Sequence, residues 1–300
     1  MDGAYVSIGM PVYNGERYIV EALNSILAQS FRNFELIISD NASTDATETI
    51  CRSYAEKDQR IRYHRNDRNQ GAAWNFQQVF RLGGGRYFQW ACHDDVWTPS
   101  LLERCVEVLD RCPAVVLCYT QAAYIDANGN AIDRNIARPG YREKEPHRRF
   151  RSFLQYHIRP NECSQVLGLF RTSVLKRSSL ISNYPAADMV MLGEVSLYGE
   201  FLEIPESLFL RRDHPGTSVN ANPTNEERVV WCDPSKKGKI QLSTWRWFFE
   251  WLRSIYRSPI GAAEWCRCTR ELGRWAWGNR GTMRRELVNG LRHWSAVKAG

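Results

Sequence analysis

Two adjacent carboxylates, Asp94 and Asp95, directly follow Cys92 and His93 in the sequence. Neighbouring carboxylates repel each other unless a cation or several hydrogen-bond donors lie beside them. Hard divalent cations such as Mg²⁺ and Mn²⁺ take oxygen ligands, often one or two carboxylates together with the oxygens of a substrate phosphate. The pair therefore indicates a cation site for a phosphorylated ligand. The alternative is a solvated turn, with Asp95 near the start of the next helix.

The acidic pair follows a segment that has the pattern of a buried strand. Residues 87–92 are mostly apolar and aromatic, three glycines at 83–85 supply a turn before them, and the Thr-Pro step at 98–99 opens a helix after them. We therefore expect the two carboxylates at the carboxyl end of a central strand. In open α/β sheets, that edge is where ligands bind.

The first hundred residues alternate between predicted strands and predicted helices. Short apolar runs read as buried strands, and apolar residues at helical spacing lie between them. This β-α-β-α-β-α-β order predicts a parallel sheet with right-handed crossovers. The predicted strands span 5–10, 34–39, 61–64 and 87–92, and the helices between them span 18–27, a segment ending near 55, and 72–82.

Less regular elements follow the acidic pair. The segment 136–151 is polar and basic and contains proline, which predicts a mobile loop. A last strand at 201–210 runs into the basic segment 211–215. The other predicted elements are strands at 115–126 and 164–171 and helices at 101–110, from 172, and after 188.

The chain changes character near residue 224. Seven of its eleven tryptophans lie beyond residue 240, in helical stretches that are also rich in arginine. We interpret these stretches as helices packed on the sheet or as a homodimer contact. The alternative is a peripheral contact with the inner membrane face, because Trp and Arg favour bilayer interfaces. The predicted domains are 1–223, with halves 1–120 and 121–223, and the extension 224–300.

The composition is that of a globular protein of 300 residues, 43% hydrophobic, with a net charge of +7. No run of about 18 uncharged apolar residues occurs, so no membrane-spanning helix is expected. The start lacks the basic and apolar regions of a secretory signal, which predicts a cytoplasmic location. No nucleic-acid-binding module is visible in the sequence, so a nucleic acid is not expected as a partner. The nine scattered cysteines are expected to be reduced.

Several motifs in fixed order resemble the family 2 glycosyltransferases of the GT-A fold, an α/β fold with a mostly parallel, Rossmann-like central sheet flanked by helices. The resemblance covers roughly residues 5–220, and the C-terminal helical extension lies outside it. The motifs are Met-Pro-Val-Tyr-Asn at 10–14, Asp40 with the loop 41–45, Asn69-Gln-Gly71 before Asn75, and Asp94-Asp95 before Trp97 and Pro99.

The resemblance implies an enzyme that moves a sugar from a nucleotide diphosphate to an acceptor hydroxyl with inversion, using Mn²⁺ or Mg²⁺. The implied donor carries UDP, GDP or dTDP. The basic charge and the Trp-rich tail indicate a lipid-linked or phosphorylated acceptor, and a glycan is the other candidate. The implied catalytic base is Asp188, with Glu194 as second choice. The implied nucleotide-sugar residues are Pro11, Val12, Tyr13, Asn14, Glu16, Asp40, Asn69, Gly71, His93, Asp94 and Arg212, and the implied metal ligands are Asp94, Asp95 and His214.

One motif departs from the family pattern. The acidic motif normally reads Asp-x-Asp-Asp, and here Cys92 stands at its first position. A nucleotide-sugar-binding protein with lost or altered catalysis is therefore an alternative. A nucleotidyltransferase or a dinucleotide-dependent dehydrogenase would need a glycine-rich loop after the first strand, and residues 11–15 lack both patterns.

Overall fold

The computed structural model describes residues 4–134, 141–156 and 164–299, with side chains up to residue 291 except that of Tyr156. The strands are β1 (Val6–Val12), β2 (Phe34–Asp40), β3 (Ile61–Arg65), β4 (Tyr87–Trp90), β5 (Val96–Trp97), β6 (Val115–Ile125), β7 (Ala131–Ile132), β8 (Leu169–Arg171) and β9 (Glu200–Arg212). The helices are α1 (Ile19–Leu27), α2 (Thr47–Lys57), α3 (Ala72–Leu82), α4 (Leu101–Arg111), α5 (Pro146–Tyr156), α6 (Thr172–Leu175), α7 (Ala187–Val195), α8 (Asn225–Cys232), α9 (Ser243–Arg257), α10 (Ala262–Gly278) and α11 (Arg280–Ala299).

The N-terminal half of the sheet follows the predicted pattern. Strands β3, β2, β1 and β4 lie side by side and are all parallel. Every residue of β1 is buried, as expected for a strand covered by helices on both faces. The register pairs Val12 with Asp40 and Asp40 with Arg65, so the carboxyl ends of three strands meet at one edge.

The second half of the sheet is mixed rather than parallel. Strand β8 is antiparallel to β4 and to β6, β9 runs parallel to β6, and β5 is antiparallel to β9. The predicted strand at 164–171 is shorter than expected, because residues 164–167 form a 3-10 turn before β8. Pairing of β5 with β9 brings the end of β9 against the segment that carries the acidic pair.

The predicted mobile loop at 136–151 is wrong for the residues from 141 onward; residues 135–140 lie outside the described part. Tyr141 is fully buried and bridges to β9, and α5 begins at Pro146, where proline is favoured. Phe150 is buried on this helix, and so is Arg149, whose guanidinium donates to three backbone carbonyls. Charged residues interrupt the apolar face of this segment, so its sequence pattern did not predict a helix.

The C-terminal helices pack against the rest of the chain. Trp251 of α9 is buried, and its ring lies 5.0 Å from that of Trp275 on α10 and 6.4 Å from that of Phe153 on α5, measured between centroids. Arg257 of α9 forms an ion pair with the buried Glu194 of α7 at 3.0 Å. All eight cysteines in the described residues are unpaired, as expected.

Helix α8 and the turn after it pack on the loop before α3. Gly71 has φ +88°, and a Cβ on it would lie 2.6 Å from the carbonyl oxygen of Cys232. Only glycine fits this position, because the backbone conformation and the close approach both exclude a side chain. Residues beyond the predicted boundary at 223 therefore contact the loop before α3, in the first half of the chain, directly.

We expect Gly71→Ala to lower the free energy of unfolding by about 1–3 kcal/mol, since it adds both backbone strain and a clash with Cys232. The measurement is urea unfolding monitored by tryptophan fluorescence. Gly261→Ala is the matched control, because Gly261 has φ −71° and no heavy atom lies within 4 Å of the position that a Cβ would take. Equal losses for the two variants would contradict the packing described.

Candidate functional site

A cleft of about 940 Å³ opens at the carboxyl edge of β1, β2 and β4, and we call it the main cleft. One wall comes from the loops after these strands, and the other comes from residues 214–237. Eight of the residues implied by the family motifs line it, namely Pro11, Val12, Tyr13, Asn14, Asn69, His93, Asp94 and His214.

The loops after β1 and β2 are tied together by side-chain hydrogen bonds. Asn14, in the left-handed region at φ 51°, donates its backbone N–H to Ser43 at 2.9 Å and accepts from the N–H of Thr44 at 2.8 Å. Asn41 donates to Asn69 at 2.8 Å, which joins the loop before α3 to the same edge. The cleft wall is therefore held in place by the protein's own contacts.

Two residues implied by the motifs hold this edge without lining the cleft. Asp40 is fully buried and accepts from Tyr63 at 2.7 Å, Arg65 at 2.9 Å and the N–H of Ser43 at 2.8 Å. Glu16 is exposed and accepts from a backbone N–H of the β2 loop at 2.8 Å. Asp40 therefore fixes the loop after β2, and Glu16 ties the loop that carries Tyr13 and Asn14 to it.

Asp94 and His214 form the charged centre of the main cleft. The Nε2 atom of His214 lies 2.9 Å from a carboxylate oxygen of Asp94. The backbone N–H of Gly216 donates to Nδ1 at 3.2 Å, so Nε2 carries the proton of the neutral ring and donates to Asp94. Burial acts to raise the pKa of Asp94, but the hydrogen bond from His214 and the electrostatic effect of the neighbouring His93 and His214 side chains together lower it.

Asp95 and Arg212 lie outside the main cleft and hold the Asp94–His214 centre in place through hydrogen bonds. Asp95 is 4% exposed and accepts from the backbone N–H of Arg212 at 2.9 Å. Burial, and then the charge of Asp94, raise the pKa of Asp95 to about 8. The guanidinium of Arg212 is buried, donates to the backbone carbonyl of Asp94 at 2.9 Å and pairs with Glu21. Neither side chain lines the main cleft.

The donor set at this centre fits a hard divalent cation. Ligand atoms of Cys92, Asp94 and Asp95 lie within 4.8 Å of one another. Burial and the two carboxylates hold the Cys92 thiol neutral by raising its pKa, and a largely protonated Asp95 is a weak ligand. Asp94 is therefore the better carboxylate ligand, and His214 could join it through Nε2 once the Nε2 proton has moved to Nδ1. A carboxylate and an imidazole would leave the remaining positions open to phosphate oxygens.

A second cavity of about 690 Å³ adjoins the main cleft, and we call it the aromatic cavity. The two share Ala72, Phe76, Cys92, Ser218 and Trp231 in their walls. The aromatic side chains that define it are Phe76, Phe153, Tyr184, Trp247, Trp251 and Trp275.

Asp188 lies in the aromatic cavity, at the start of α7. It is the second residue of the helix, after Ala186 in the left-handed region at φ 59°. Burial raises the pKa of Asp188, although backbone N–H groups of the first turn and Arg211 act against this. Arg211 lines the same cavity. A carboxyl group whose pKa is raised by burial is suited to accept a proton.

Glu194, the second choice for the base, lines neither cavity. It is fully buried, accepts from the backbone N–H of Ser179 at 2.8 Å and pairs with Arg257. Its contacts are those of a residue that joins α7 to α9.

Apart from His214, the sequence motifs did not predict the second wall of the main cleft. Trp231 of α8 lines both cavities and exposes 41% of its surface, and Lys237 lines the main cleft. Both lie beyond the motif-bearing part of the chain. The tryptophan content after residue 224 was the only signal, and it did not distinguish a cleft wall from a packed helix.

The protein is an α/β protein of the GT-A class. The features that define it are a sheet whose first half is parallel, a cleft at the carboxyl edge of that half, and the Asp94–His214 pair in the cleft. The chain belongs to glycosyl transferase family 2, whose family model matches residues 7–178. The family and the fold class predicted from the motifs are therefore confirmed. None of the helices in the described ranges is long and apolar enough to cross a membrane.

Curated relatives match parts of the chain. An uncharacterized glycosyltransferase of Rickettsia conorii is 37% identical over 131 residues, which are 42% of this chain and 21% of that protein. TuaG of Bacillus subtilis, provisionally named a teichuronic acid biosynthesis glycosyltransferase, is 33% identical over 135 residues, 45% of this chain and 53% of that protein. The chain thus spans between a fifth and about half of these relatives.

Solved structures share the fold over nearly the whole chain. S. aureus TarS in complex with UDP has a TM-score of 0.64 at 17% identity, covering 90% of this chain and 71% of that chain. The mannosyltransferase PcManGT of Pyrobaculum calidifontis, in complex with GDP-Man and Mn²⁺, has a TM-score of 0.58 at 14% identity, covering 99% and 76%. The likeness in fold therefore extends past residue 223 into the C-terminal helices.

Proposed function

We propose that the protein transfers a sugar from a nucleotide diphosphate to an acceptor hydroxyl, with inversion at the anomeric carbon. The observation that carries this proposal is the adjacency of the two cavities. The Asp94–His214 centre lies in one, Asp188 lies in the other, and the two share the wall at Cys92. A donor and an acceptor could therefore meet between a phosphate-binding centre and a base.

The donor site proposed is the main cleft. Tyr13 exposes 45% of its surface there and offers a ring to the base of a UDP, GDP or dTDP donor. Asp40 and Asn69 hold the surrounding loops, and His93 faces the cleft beside Asp94. The fold relatives TarS and PcManGT, with UDP and with GDP-Man, support this choice of ligand class.

Asp94 and His214 are the proposed ligands of Mn²⁺ or Mg²⁺. When bound, the cation would supply positive charge near the leaving diphosphate. The protein's own part is to hold both side chains at one spacing. Asp95 and Arg212 hold Asp94 in position through hydrogen bonds that involve the backbone of the acidic segment and of β9. Tyr18 holds His214, with the centroids of the two rings 4.7 Å apart.

Asp188 is the proposed catalytic base. The acceptor oxygen forms its bond to the anomeric carbon on the face opposite the diphosphate, the bond from that carbon to the phosphate oxygen breaks, and the hydroxyl proton passes to the Asp188 carboxylate. The alternative, a binding protein with altered catalysis, rests on Cys92 in place of the usual carboxylate. Measured turnover separates the two.

We expect UDP, GDP or dTDP with Mn²⁺ to raise the melting temperature of the wild type, because ligand binding stabilises the folded state. Asp94→Ala should abolish the metal-dependent part of that shift. Asp133→Ala is the matched control, since Asp133 is exposed and lines neither cavity. The donor site is refuted if no diphosphate shifts the wild type with or without metal.

Asp188→Asn should lower kcat by about 10²- to 10⁴-fold while donor binding is kept, since it removes the proton acceptor only. Burial raises the pKa of Asp188, so the base form increases as pH rises and kcat/KM should rise through a pKa above the ordinary Asp range. Steady-state rates across pH provide the measurement. Glu194→Gln is the comparison, and a larger kcat loss there would favour Glu194 as base.

We also propose that the C-terminal helices contact an anionic bilayer surface. The three helices α9–α11 hold eleven Lys and Arg against four Asp and Glu, a net +7 that equals the charge of the whole chain. On α9, Arg246, Phe249, Arg253 and Tyr256 recur at helical spacing and are all exposed, with Tyr256 at 64%. Basic and aromatic side chains on one helix face favour anionic interfaces.

In flotation assays, the wild type should bind vesicles that contain phosphatidylglycerol and should not bind pure phosphatidylcholine, because the helices are basic. The double variant Phe249→Ser, Tyr256→Ser should lose most of this binding, whereas Ile132→Ser, an exposed change on β7, should keep it. A dimer in light scattering with no vesicle binding would assign the face to a second copy of the chain.

A further inference from the structure

We infer that the aromatic cavity receives the apolar part of the acceptor, which makes the acceptor an amphipathic molecule: a hydroxyl-bearing group attached to a hydrocarbon chain. This inference rests on the proposed function, since it concerns the acceptor of the same reaction. The cavity, at about 690 Å³, has the size of a small-molecule site and reaches from the main cleft to the C-terminal helices.

The wall of the cavity is predominantly apolar. Side chains from three parts of the fold meet there: Phe76 from α3, Phe153 from α5, and Trp247 and Trp251 from α9. Apolar surface binds hydrocarbon by its removal from water, and it offers nothing to the hydroxyl groups of a bare oligosaccharide.

Four polar groups in the wall are already paired within the protein. Arg228 donates to two backbone carbonyls, and Glu286 accepts from the N–H and the hydroxyl of Thr244 at 2.9 Å and 2.7 Å. The amide of Asn279 and the indole N–H of Trp247 each donate to a backbone carbonyl, at 2.9 Å and 3.0 Å. These four groups close the wall rather than present hydrogen bonds to a ligand. Among the described residues, the buried hydroxyl of Tyr184 and the indole N–H of Trp251 have no hydrogen-bond partner, so the wall keeps two polar atoms within a mostly apolar surface.

Arg211, at the end of β9, lies close enough to act electrostatically both on Asp188 of α7 and on Cys92, which belongs to the wall shared with the main cleft. Asp188 and Arg211 both line the aromatic cavity, and the shared residues Cys92 and Trp231 mark its junction with the main cleft. A ligand with a polar head and an apolar tail fits this polarity, with its hydroxyl at Asp188 and its tail among the tryptophans.

Soluble amphiphiles test the inference directly. We expect n-decyl β-D-glucopyranoside, below its micelle concentration, to bind the wild type saturably in isothermal titration calorimetry. Glucose and maltotetraose should show no comparable binding. If maltotetraose binds as tightly as decyl glucoside, the cavity recognises sugar rings by stacking and the inference is overturned.

A cavity-filling variant separates this site from general detergent binding. Val219 lines the aromatic cavity and is half-buried on the loop after β9, so Val219→Trp should fill the cavity without disturbing the core. Its affinity for decyl glucoside should fall at least about tenfold, a change of 1.4 kcal/mol. Val20→Trp is the matched control, because Val20 is 42% exposed on α1 and lines neither cavity.

Ile181→Trp, also in the cavity wall, is the second variant in case Val219→Trp folds poorly. Wild-type affinity in both variants would overturn the inference. Both should keep the diphosphate-dependent melting shift, because neither residue lines the main cleft. If decyl glucoside binds but no diphosphate does, the proposed function fails while the apolar site stands.

Discussion

The structure depends on how two adjacent carboxylates are held at the edge of a buried sheet. Asp94 keeps its charge because His214 donates to it, whereas Asp95 is buried and held mainly in its neutral form. The backbone N–H of Arg212 binds Asp95, and its guanidinium binds the carbonyl of Asp94. Like charges side by side would otherwise drive this segment into solvent. Most of the compensation comes from Arg212 at the end of β9 and from His214 directly after it, and His93 adds to it.

The need to place hydrogen-bond partners beside Asp94 and Asp95 explains the mixed topology of the second half of the sheet. Arg212 and His214 can reach the acidic segment only if β9 ends beside it, and the short antiparallel pairing of β5 with β9 fixes that position. Tyr18 completes the arrangement, with its ring between the Arg212 guanidinium at 4.7 Å and the His214 ring at 4.7 Å. A continuous parallel sheet would leave the acidic pair without these partners.

The parts that the sequence predicted are those governed by local pattern. The first four strands, their helices and the acidic segment follow from apolar runs and turn residues, and the structure has them within a few residues. Helix α5 was missed because its apolar face is interrupted by arginines, one of which is buried. The supporting role of Arg212 and the cleft wall at Trp231 depend on contacts between residues far apart in sequence, which no local pattern records.

Cys92 gives a physical reason for the departure of this chain from the family motif. Its side chain lies in the wall that the main cleft and the aromatic cavity share. Burial and the neighbouring carboxylates raise the pKa of its thiol, so this wall is uncharged. A carboxylate in the same position would add a further negative charge beside Asp94 and would face the apolar cavity, where burial of a charge is costly. A neutral thiol is therefore the residue that lets an apolar cavity adjoin an acidic centre.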